Sequence, residues 1–580
     1  MFKKNKNILL VILFILVNVC ASYITTSADI TADKRYTLHP QSIATLQNLQ
    51  QPVTINVLLK GNYPASFKRL VTEITNFLQT CNTYAKGKLT VTYTNPIQDL
   101  GEEAAQLYKD SLGYFYDIQS IALQTDEQGA NAVLTQQNIL PGALVTSGSK
   151  TFGVNLLRSA ILNTTNAEAT AQQYEKIAAT LENKFIDAII KATNDNVQTV
   201  AYAVGNGQPS DSSLTINDAI TTIAPKTENS NTYKFGVVNL QQAPFVPSNI
   251  NTLIVLKPTK PFTDADKLKL DQYLMRGGNI FFMIDNMYAE FDSLIRSGQQ
   301  GFIAFDRGLN IDDLLFSYGV RINQNILQDL EADELPLVSG NNQSGMQTQQ
   351  VKFSFLPILQ GTNSNISSNL NGVRAFFPNT IDTIMGKPNI QKTILLTSSN
   401  HAKLIGTPYK VDFSFMNYAN DITQFTIKDT AVAVLLQGKF ESYFANRLPI
   451  NLADTLKKYE QTFLAEANLP GKIIVIADGD IATNLVTPKG EPLQMGENNY
   501  TGITYANKDF YNNCLAYLTG NEATLASRSK YYTPRLLDAV KVAANTTKWQ
   551  VIVVAVPLVL LLVFVFIFSA SQKKKYTKTS

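Results

Sequence analysis

Four polar residues follow apolar runs that the sequence predicts as buried β-strands: Asn206, Asp285, Asp478 and Asp480. The carboxyl ends of parallel strands are where doubly wound α/β sheets bind ligands. Paired carboxylates provide the oxygen ligands that Mg²⁺ and Ca²⁺ prefer, and an asparagine can add amide and backbone groups. These four residues are therefore the candidate ligand-binding residues of the chain.

A structural interpretation of the same residues competes with the functional one. Asp478 and Asp480 flank a glycine, and Asn206 lies between two glycines. Aspartate, asparagine and glycine are common at strand ends because they form turns and cap helices. We favour turns and caps over a metal or ligand site, so the sequence predicts no bound metal and no cofactor.

Residues suited to catalysis are scarce. The chain has two histidines, His39 and His401, and three widely spaced cysteines, Cys20, Cys81 and Cys514. This leaves no two-histidine zinc motif and little scope for a nucleophile paired with a histidine. Cys81 and Cys514 are interpreted as buried thiols, with a disulfide between them as the alternative. The inventory predicts a protein that is not an enzyme.

One segment resembles the end of a phosphate-binding loop. Residues 148–151 read Gly-Ser-Lys-Thr, but Ser149 replaces the glycine that should precede the lysine, and the upstream spacing does not fit. A hairpin turn with an exposed Lys150 explains the segment without a phosphate.

Two α/β units are predicted to position these residues. In the first, residues 52–60 and 88–94 are strands joined by an amphipathic helix at 67–84, which is a βαβ unit. A hairpin at 120–135 and a helix at 167–192 complete this unit.

The second unit alternates strands and helices, which predicts a mostly parallel, doubly wound sheet. The alternation weakens between residues 330 and 470, where polar stretches indicate an insertion. The predicted strands and the one strongly capped helix of this unit are residues 198–204, 233–238, 252–256, 263–276 (the helix), 279–284 and 472–477.

A membrane span is predicted near the C-terminus. Residues 551–568 contain no charged or polar side chain, and at about 1.5 Å per residue they reach about 27 Å, close to the hydrocarbon thickness of a bilayer. Trp549 precedes this run and suits a membrane interface, and Pro557 is tolerated within a spanning helix. Three lysines then follow: Lys573, Lys574 and Lys575.

A second apolar segment, residues 8–25, lies near the N-terminus and is either a retained anchor, which we favour, or a signal peptide. Lysines precede this segment and follow the C-terminal span, so both ends are predicted to be cytoplasmic. The residues between the two segments would then lie outside the cytoplasm. The rest of the chain is close to neutral, which argues against nucleic-acid binding.

The predicted organisation follows the chain in order. It comprises a cytoplasmic tail (1–7), the N-terminal anchor or signal peptide (8–25), a first periplasmic α/β domain (26–195), a second with an insertion at about 330–470 (196–523), a juxtamembrane stalk (524–548), a transmembrane helix (549–569) and a basic cytoplasmic tail (570–580).

Six segments, in order along nearly the whole chain, resemble the GldG family of auxiliary, substrate-binding-like proteins of gliding-motility ABC transporters: residues 33–38, 60–70, 257–263, 271–278, 438–447 and 476–481. The resemblance implies an inner-membrane subunit that works with a GldF-like permease and a GldA-like ATPase. It also implies that the second domain is glutamine-amidotransferase-like and non-enzymatic. No catalytic residues are established for the family, so none is transferred.

Two functions are compatible with these observations. The first is a scaffold that couples a permease to outer components, with two copies in a transporter of two-fold symmetry. The second is a periplasmic receptor that holds a sugar or a peptide near Asn206, Asp285 and Asp478. A deep pocket in which aromatic rings meet carboxylates would favour the receptor, and a flat polar crevice would favour the scaffold.

Reporter fusions test the predicted topology. We expect a reporter that is active only after export to be active when inserted at Asn342 and silent when fused to Ser580, because lysines hold both ends in the cytoplasm. A cytoplasm-only reporter at the same two positions serves as the control and should give the reverse pattern. Activity of the exported reporter at Ser580 would contradict the topology.

Overall fold

The computed structural model describes residues 37–61, 63, 65–98, 100–125, 135–157, 167–224, 232–297, 300–342, 345–413, 422–521, 525 and 546–576. The chain divides into two compact units, Met1–Tyr532 and Thr533–Ser580. The predicted N-terminal anchor, Cys20 and nearly all of the predicted stalk lie outside the described residues.

The unit Met1–Tyr532 contains two main sheets with separate apolar cores, which we refer to as the first and second α/β domains. The first α/β domain is a four-stranded sheet covered by long helices. Strand β1 pairs in parallel with β2 and antiparallel with β5, which gives the order β2-β1-β5-β6. In chain order its elements are α1 (Pro40–Gln47), β1 (Val53–Val57), α2 (Ala65–Tyr84), β2 (Leu89–Tyr93), α3 (Glu102–Tyr116), β3 (Ile121–Thr125), β4 (Thr135–Ile139), β5 (Gly142–Ser147), β6 (Lys150–Asn155) and α4 (Ala167–Thr193).

The predicted βαβ unit is present, because β1 and β2 are parallel and α2 connects them. Phe67, Leu70, Ile74 and Leu78 recur at helical spacing along α2, and all four are buried in the domain core. The predicted hairpin is also present, because β3 and β4 pair antiparallel. Strand β4 extends to Ile139, beyond the predicted end at residue 135, and residues 126–134 lie outside the described residues.

Residues 148–151 form the turn and the first part of a strand, as predicted. Ser147 pairs with Lys150 across the β5–β6 hairpin, and Gly148 has a φ of +58°, a left-handed conformation that favours glycine. The Lys150 ammonium lies 2.9 Å from Asp195. This lysine therefore has a structural partner.

The second domain is built on one ten-stranded sheet. In chain order its elements are β7 (Gln198–Val204), α5 (Asn217–Ile223), β8 (Tyr233–Asn239), β9 (Thr252–Leu256), α6 (Asp264–Met275), β10 (Asn279–Met283), β11 (Met287–Tyr288), α7 (Phe291–Ser297), β12 (Phe302–Asp306), α8 (Asp312–Tyr318), β13 (Val320–Ile322), β14 (Asn325–Asp329), β15 (Ala332–Asn342), β16 (Gly345–Gly361), β17 (Val373–Arg374), β18 (Ile381–Thr383), β19 (Ile390–Thr397), β20 (Ala402–Gly406), β21 (Tyr409–Val411), β22 (Ala431–Gly438), α9 (Ile450–Lys458), β23 (Gly471–Ile476), β24 (Glu497–Asn498), β25 (Ile503–Thr504) and α10 (Asn507–Leu518).

Five neighbouring strands of this sheet are parallel, in the order β8-β7-β9-β10-β23. All five residues of β9 are buried, as are the last four residues of β10 and of β23. Strands covered on both faces read as continuous apolar runs, which is why the sequence located them well. Apolar clusters lie on both sides of the sheet.

The segment predicted as an insertion, residues 330–470, instead enlarges the same sheet. Strand β22 pairs antiparallel with β23, β19 pairs with β22, and the long β15–β16 hairpin continues beyond β19. The alternation of strands and helices weakens here because antiparallel strands need no crossover helix. The change in pattern that the sequence indicates therefore coincides with the change from parallel to antiparallel strands.

Helix α6 starts and ends as the sequence indicated. The Thr263 hydroxyl accepts a hydrogen bond from the Asp266 amide, and the Asp266 carboxylate accepts one from the Thr263 amide, which is a reciprocal capping box. Gly277, with a φ of +91°, follows the last turn.

The C-terminal unit contains the helix α11 (Thr546–Tyr576). Its segment Lys548–Ser571 is long and apolar enough to cross a membrane, with a mean hydropathy of 3.5 and none of its most apolar stretch buried. Trp549 lies in its first turn, and Pro557 lies inside it. Lys573, Lys574 and Lys575 belong to its last turns. The structure thus fits a membrane anchor attached to a folded domain.

A buried ion pair links separate parts of the antiparallel half of the second domain. Arg374 of β17 and Asp333 of β15 are 1% and 0% exposed, and Arg374 Nε lies 2.5 Å from Asp333 Oδ2. Asn498 and Tyr505 each donate a hydrogen bond to the other oxygen of Asp333, both at 2.8 Å. The pair therefore joins two strands to the loop around β24 and β25.

Removing one member of this pair should destabilise the second domain strongly. We expect Asp333→Asn to lower the free energy of unfolding by about 3–5 kcal/mol, because the buried Arg374 charge loses its counterion. Urea unfolding followed by far-UV circular dichroism measures the loss.

The exposed pair Arg321–Asp382 is the matched control. Its side chains are 56% and 51% exposed and 2.7 Å apart, so Asp382→Asn should cost less than about 1 kcal/mol. Equal losses for the two variants would contradict the importance of the buried pair.

Candidate functional site

Three adjacent parallel strands bring most of the predicted site residues together. Lys257 follows the last residue of β9, Asp285 lies two residues after β10, and Asp478 lies two residues after β23. Because β10 pairs with both β9 and β23, these ends are neighbours at one edge of the sheet. Asp480 begins a short 3-10 helix directly after Gly479.

The Lys257 ammonium lies among the carboxylates. Its Nζ donates a hydrogen bond to Asp480 and another, of 2.9 Å, to Glu290, and it lies 3.4 Å from Asp285. Glu290 also accepts a 2.5 Å hydrogen bond from Arg307. We refer to Lys257, Asp285, Glu290, Arg307, Asp478 and Asp480 as the strand-end ion cluster.

Two of the aspartates hold the backbone as well. Asp478, which is fully buried, accepts hydrogen bonds of 2.7 Å from the amides of Phe376 and Asp480. Asp285 accepts one of 2.5 Å from the Gly479 amide. Both therefore serve as acceptors that fix the loops at the sheet edge.

Close backbone approach is also needed at this edge. A Cβ at position 479 would meet the Cβ of Lys257 at 3.0 Å, and Lys257 itself adopts a φ of +48°. The missing side chain of Gly479 gives the lysine room to turn into the cluster.

Burial and crowding shift the titration of the cluster. Burial, together with the charges of Asp285 and Asp480, raises the pKa of Asp478 well above its ordinary value. Burial also raises the pKa of Asp480 to about 7, although Lys257 opposes the shift. The carboxylates overcome the effect of burial on Lys257 and raise its pKa, while Lys257 and Arg307 overcome burial at Glu290 and lower its pKa.

The aspartates resemble the oxygen donors of a metal site. One ligand oxygen from each of Asp285, Asp478 and Asp480 can be chosen so that all lie within 4.8 Å of one another. Lys257 Nζ, however, already contacts Asp480 and Asp285. A resident ammonium thus neutralises the charge that a divalent cation would otherwise balance, which favours a structural role for the cluster.

Asn206 does not join the cluster through its side chain. Its Nδ2 donates to Asp266 and to the Pro261 carbonyl, both at 3.2 Å, and its backbone carbonyl accepts from the amides of Thr259 and Lys260. Asn206 is fully buried and ties the turn after β7 to the start of α6.

Lys257, Glu290 and Arg307 were missed as site residues. Lys257 entered the sequence predictions only within residues 257–263, one of the six segments that carry the family resemblance. A usable signal was present at Lys257, because a charged residue follows the four apolar residues 253–256 without an intervening turn residue. Glu290 and Arg307 carry no comparable signal, because their approach to the strand ends depends on the path of the chain after β10.

The remaining residues considered for chemistry have structural roles. Cys81 and Cys514 are free and buried, so the thiol interpretation is confirmed and the disulfide alternative is wrong. Burial raises the pKa of both thiols, which disfavours the reactive thiolate. His39 caps α1, where its Nδ1 accepts a hydrogen bond from the Gln41 amide, and His401 is exposed.

The ion cluster should make stability depend on pH. The unfolded pKa of aspartate is about 3.9 and the folded pKa of Asp480 is about 7, so stability present at low pH is lost as the pH rises through 7. Asp478 acts in the same direction, whereas Glu290 acts oppositely and only at lower pH. We therefore expect the free energy of unfolding to fall between pH 5 and pH 8.

Asp480→Asn should reduce this dependence, because it removes one carboxylate whose ionisation opposes folding. Thermal unfolding of the wild-type and variant chains from pH 5 to pH 8 measures how the stability of each chain depends on pH. Asp454→Asn, which changes an exposed aspartate of α9, is the control and should keep the wild-type profile. An unchanged slope in Asp480→Asn would show that Asp480 titrates normally.

Comparisons with known proteins place the chain in a family. Residues 32–146 match a domain of unknown function, and no curated protein matches the chain. Among solved structures, "mmIFT52 N-terminal domain" is 12% identical, with a TM-score of 0.30 over 56% of this chain and 97% of that chain. Residues 198–514, more than half of the 580, match a family described as an ABC-type uncharacterized transport system. The chain belongs to this family of ABC transport system auxiliary proteins.

Proposed function

We propose that this chain is a non-enzymatic scaffold of a gliding-motility-type ABC transporter, anchored in the bacterial inner membrane. Its two α/β domains lie in the periplasm and couple the permease to outer components. Both termini are cytoplasmic. The family assignment supports an auxiliary role in ABC transport, and the six segments that resemble the GldG family support the gliding-motility type.

The strand-end ion cluster is the observation that carries the scaffold role. A receptor or an enzyme with this sheet would use the carboxyl ends of β9, β10 and β23 to bind its ligand. Here Lys257 and Arg307 engage the acidic groups, and Asp285 and Asp478 also hold backbone amides. Because these charged side chains already bind one another and the backbone, they stabilise the loops. Few of their polar atoms are left to bind a ligand.

The C-terminal helix α11 supports the anchoring part of the proposal. Its residues 551–568 offer bulky apolar side chains to lipid or to another helix, and they contain no Gly-x-x-x-Gly motif. A single spanning helix forms no pore, so transport requires a separate permease. We expect the partners to be a GldF-like permease and a GldA-like ATPase, with two copies of this chain per transporter because ABC transporters have two-fold symmetry.

The alternative is a periplasmic receptor that delivers a sugar or a peptide to the permease. At the strand ends, the side chain of Asn206 donates to Asp266, apart from the ion cluster, and Lys257 contacts Asp285 and Asp480. This arrangement favours the scaffold over a receptor that uses that crevice.

Co-purification tests the proposed assembly. The full chain, extracted in detergent from cells that express the permease and the ATPase, should carry both proteins, and native mass measurement should give two copies of the chain. A variant that ends after Lys548 should lose most of the bound permease, because it lacks the helix that packs in the membrane.

A replacement span is the control for anchoring alone. Exchanging residues 551–568 for eighteen leucines keeps a membrane helix but changes its packing surface. Retained binding by the leucine variant would assign docking to the periplasmic domains or the stalk. A full chain that purifies alone, or a truncated chain that binds as well as the full one, would contradict the proposal.

A further inference from the structure

A cleft of about 370 Å³ lies between the two α/β domains, away from the strand-end ion cluster. The C-terminal end of α3 and one side of α4 form its wall on the first domain. Helices α5 and α10 form the wall on the second domain. Binding sites for small molecules occur often at domain interfaces, in pockets of roughly 300–1,000 Å³.

The charged residues of the cleft are largely paired. Lys508 of α10 lies 3.2 Å from Asp117 of the first domain and 3.3 Å from Asp218 of the second, so one ammonium bridges the two walls. Lys191 and Asp187 pair at 2.7 Å on α4. Lys184 also lines the cleft, and its ammonium donates a hydrogen bond to the Leu156 carbonyl. Among the described lining residues, each lysine ammonium therefore already has an acceptor, which disfavours selection of an anion.

Amide side chains add donors and acceptors to the same walls. Asn183 and Asn513 line the cleft and are only 7% and 4% exposed. Asn512 lines it too, and its Oδ1 is buried with no hydrogen-bond partner among the described residues. A buried acceptor without a partner is costly unless a ligand or water donates to it. The Asn513 amide already donates to the Ile366 carbonyl, so the described walls suit above all a ligand that donates hydrogen bonds to acceptors such as Asn512 Oδ1.

Two exposed aromatic rings line the cleft on the α3 side. Tyr114 is 57% and Phe115 is 41% exposed, and their ring centroids are 4.9 Å apart in an edge-to-face arrangement. Exposed rings beside a polar cleft provide flat apolar surfaces on which a ligand can lie.

We propose that this cleft binds a neutral, hydroxyl-rich small molecule of the carbohydrate class. Each sugar hydroxyl donates and accepts a hydrogen bond, which matches amides and paired charges. The C–H faces of a sugar ring match the exposed faces of Tyr114 and Phe115. This inference goes beyond the scaffold role and does not depend on it, because binding is measured on the chain without a permease.

Binding to the full-length chain tests this inference. The chain is purified in a detergent without a sugar headgroup, and isothermal calorimetry is run with maltose, cellobiose and N-acetylglucosamine. Glucuronate and a neutral tripeptide serve as probes of the competing classes. We expect at least one neutral sugar to bind, and glucuronate and the tripeptide to bind at least about tenfold more weakly, because the lysines are paired.

Two variants locate the binding site. Tyr114→Ser removes an exposed ring and should weaken sugar binding about tenfold, because a stacking surface is lost. Thr222→Trp places a large side chain in the cleft and should abolish binding.

Each variant has a matched control. Tyr459 is 43% exposed and also makes an edge-to-face pair, with Phe245, but it lies outside the cleft, so Tyr459→Ser should bind normally. Thr83, like Thr222, donates its hydroxyl to the carbonyl four residues earlier in a helix, so Thr83→Trp should also bind normally. Absence of binding by all three sugars, preference for a competing probe, or binding unaffected by Thr222→Trp would overturn the proposal.

Discussion

Four carboxylates meet near the carboxyl ends of three neighbouring strands, and they can pack together in a largely buried site because Lys257 and Arg307 lie among them. A buried carboxylate without a partner is costly, and burial drives such a group toward its neutral form. Lys257 and Arg307 offset only part of this cost. The remaining part raises the pKa values of Asp478 and Asp480. Asp285 and Asp478 also accept hydrogen bonds from backbone amides of the loops at this edge, so the ends of the central strands depend on this charge balance.

The central sheet has a parallel part and an antiparallel part. Its parallel strands are covered on both faces and need helical crossovers, whereas β22, β19, β16 and β15 extend it in antiparallel pairs. The buried pair between Arg374 and Asp333 fastens this extension to the loop around β24 and β25. Charged residues are thus placed where separate segments must meet, and apolar residues fill the layers between them.

Two surfaces remain for interactions outside the chain. The helix α11 presents apolar side chains along its length, which suits lipid and the helices of a permease. The cleft between the α/β domains is instead polar, and Lys508 bridges its walls. A scaffold that binds a sugar in this cleft would couple ligand occupancy to the relative position of its domains, since both walls contact the ligand. Anchoring and recognition would then reside in different parts of one auxiliary subunit.

The sequence by itself determined the elements whose pattern is local. Continuous apolar runs identified β7, β9, β10 and β23, helical periodicity identified α2, and the uncharged run at 551–568 identified the membrane helix. The clustering of Asp285, Asp478 and Asp480 followed from the rule that doubly wound sheets bind ligands at the carboxyl ends of their parallel strands. Only the tertiary structure decided that Lys257 would lie among them, that residues 330–470 would extend the sheet, and that the two domains would enclose a cleft. These outcomes depend on contacts between residues far apart in sequence, for which no local pattern exists.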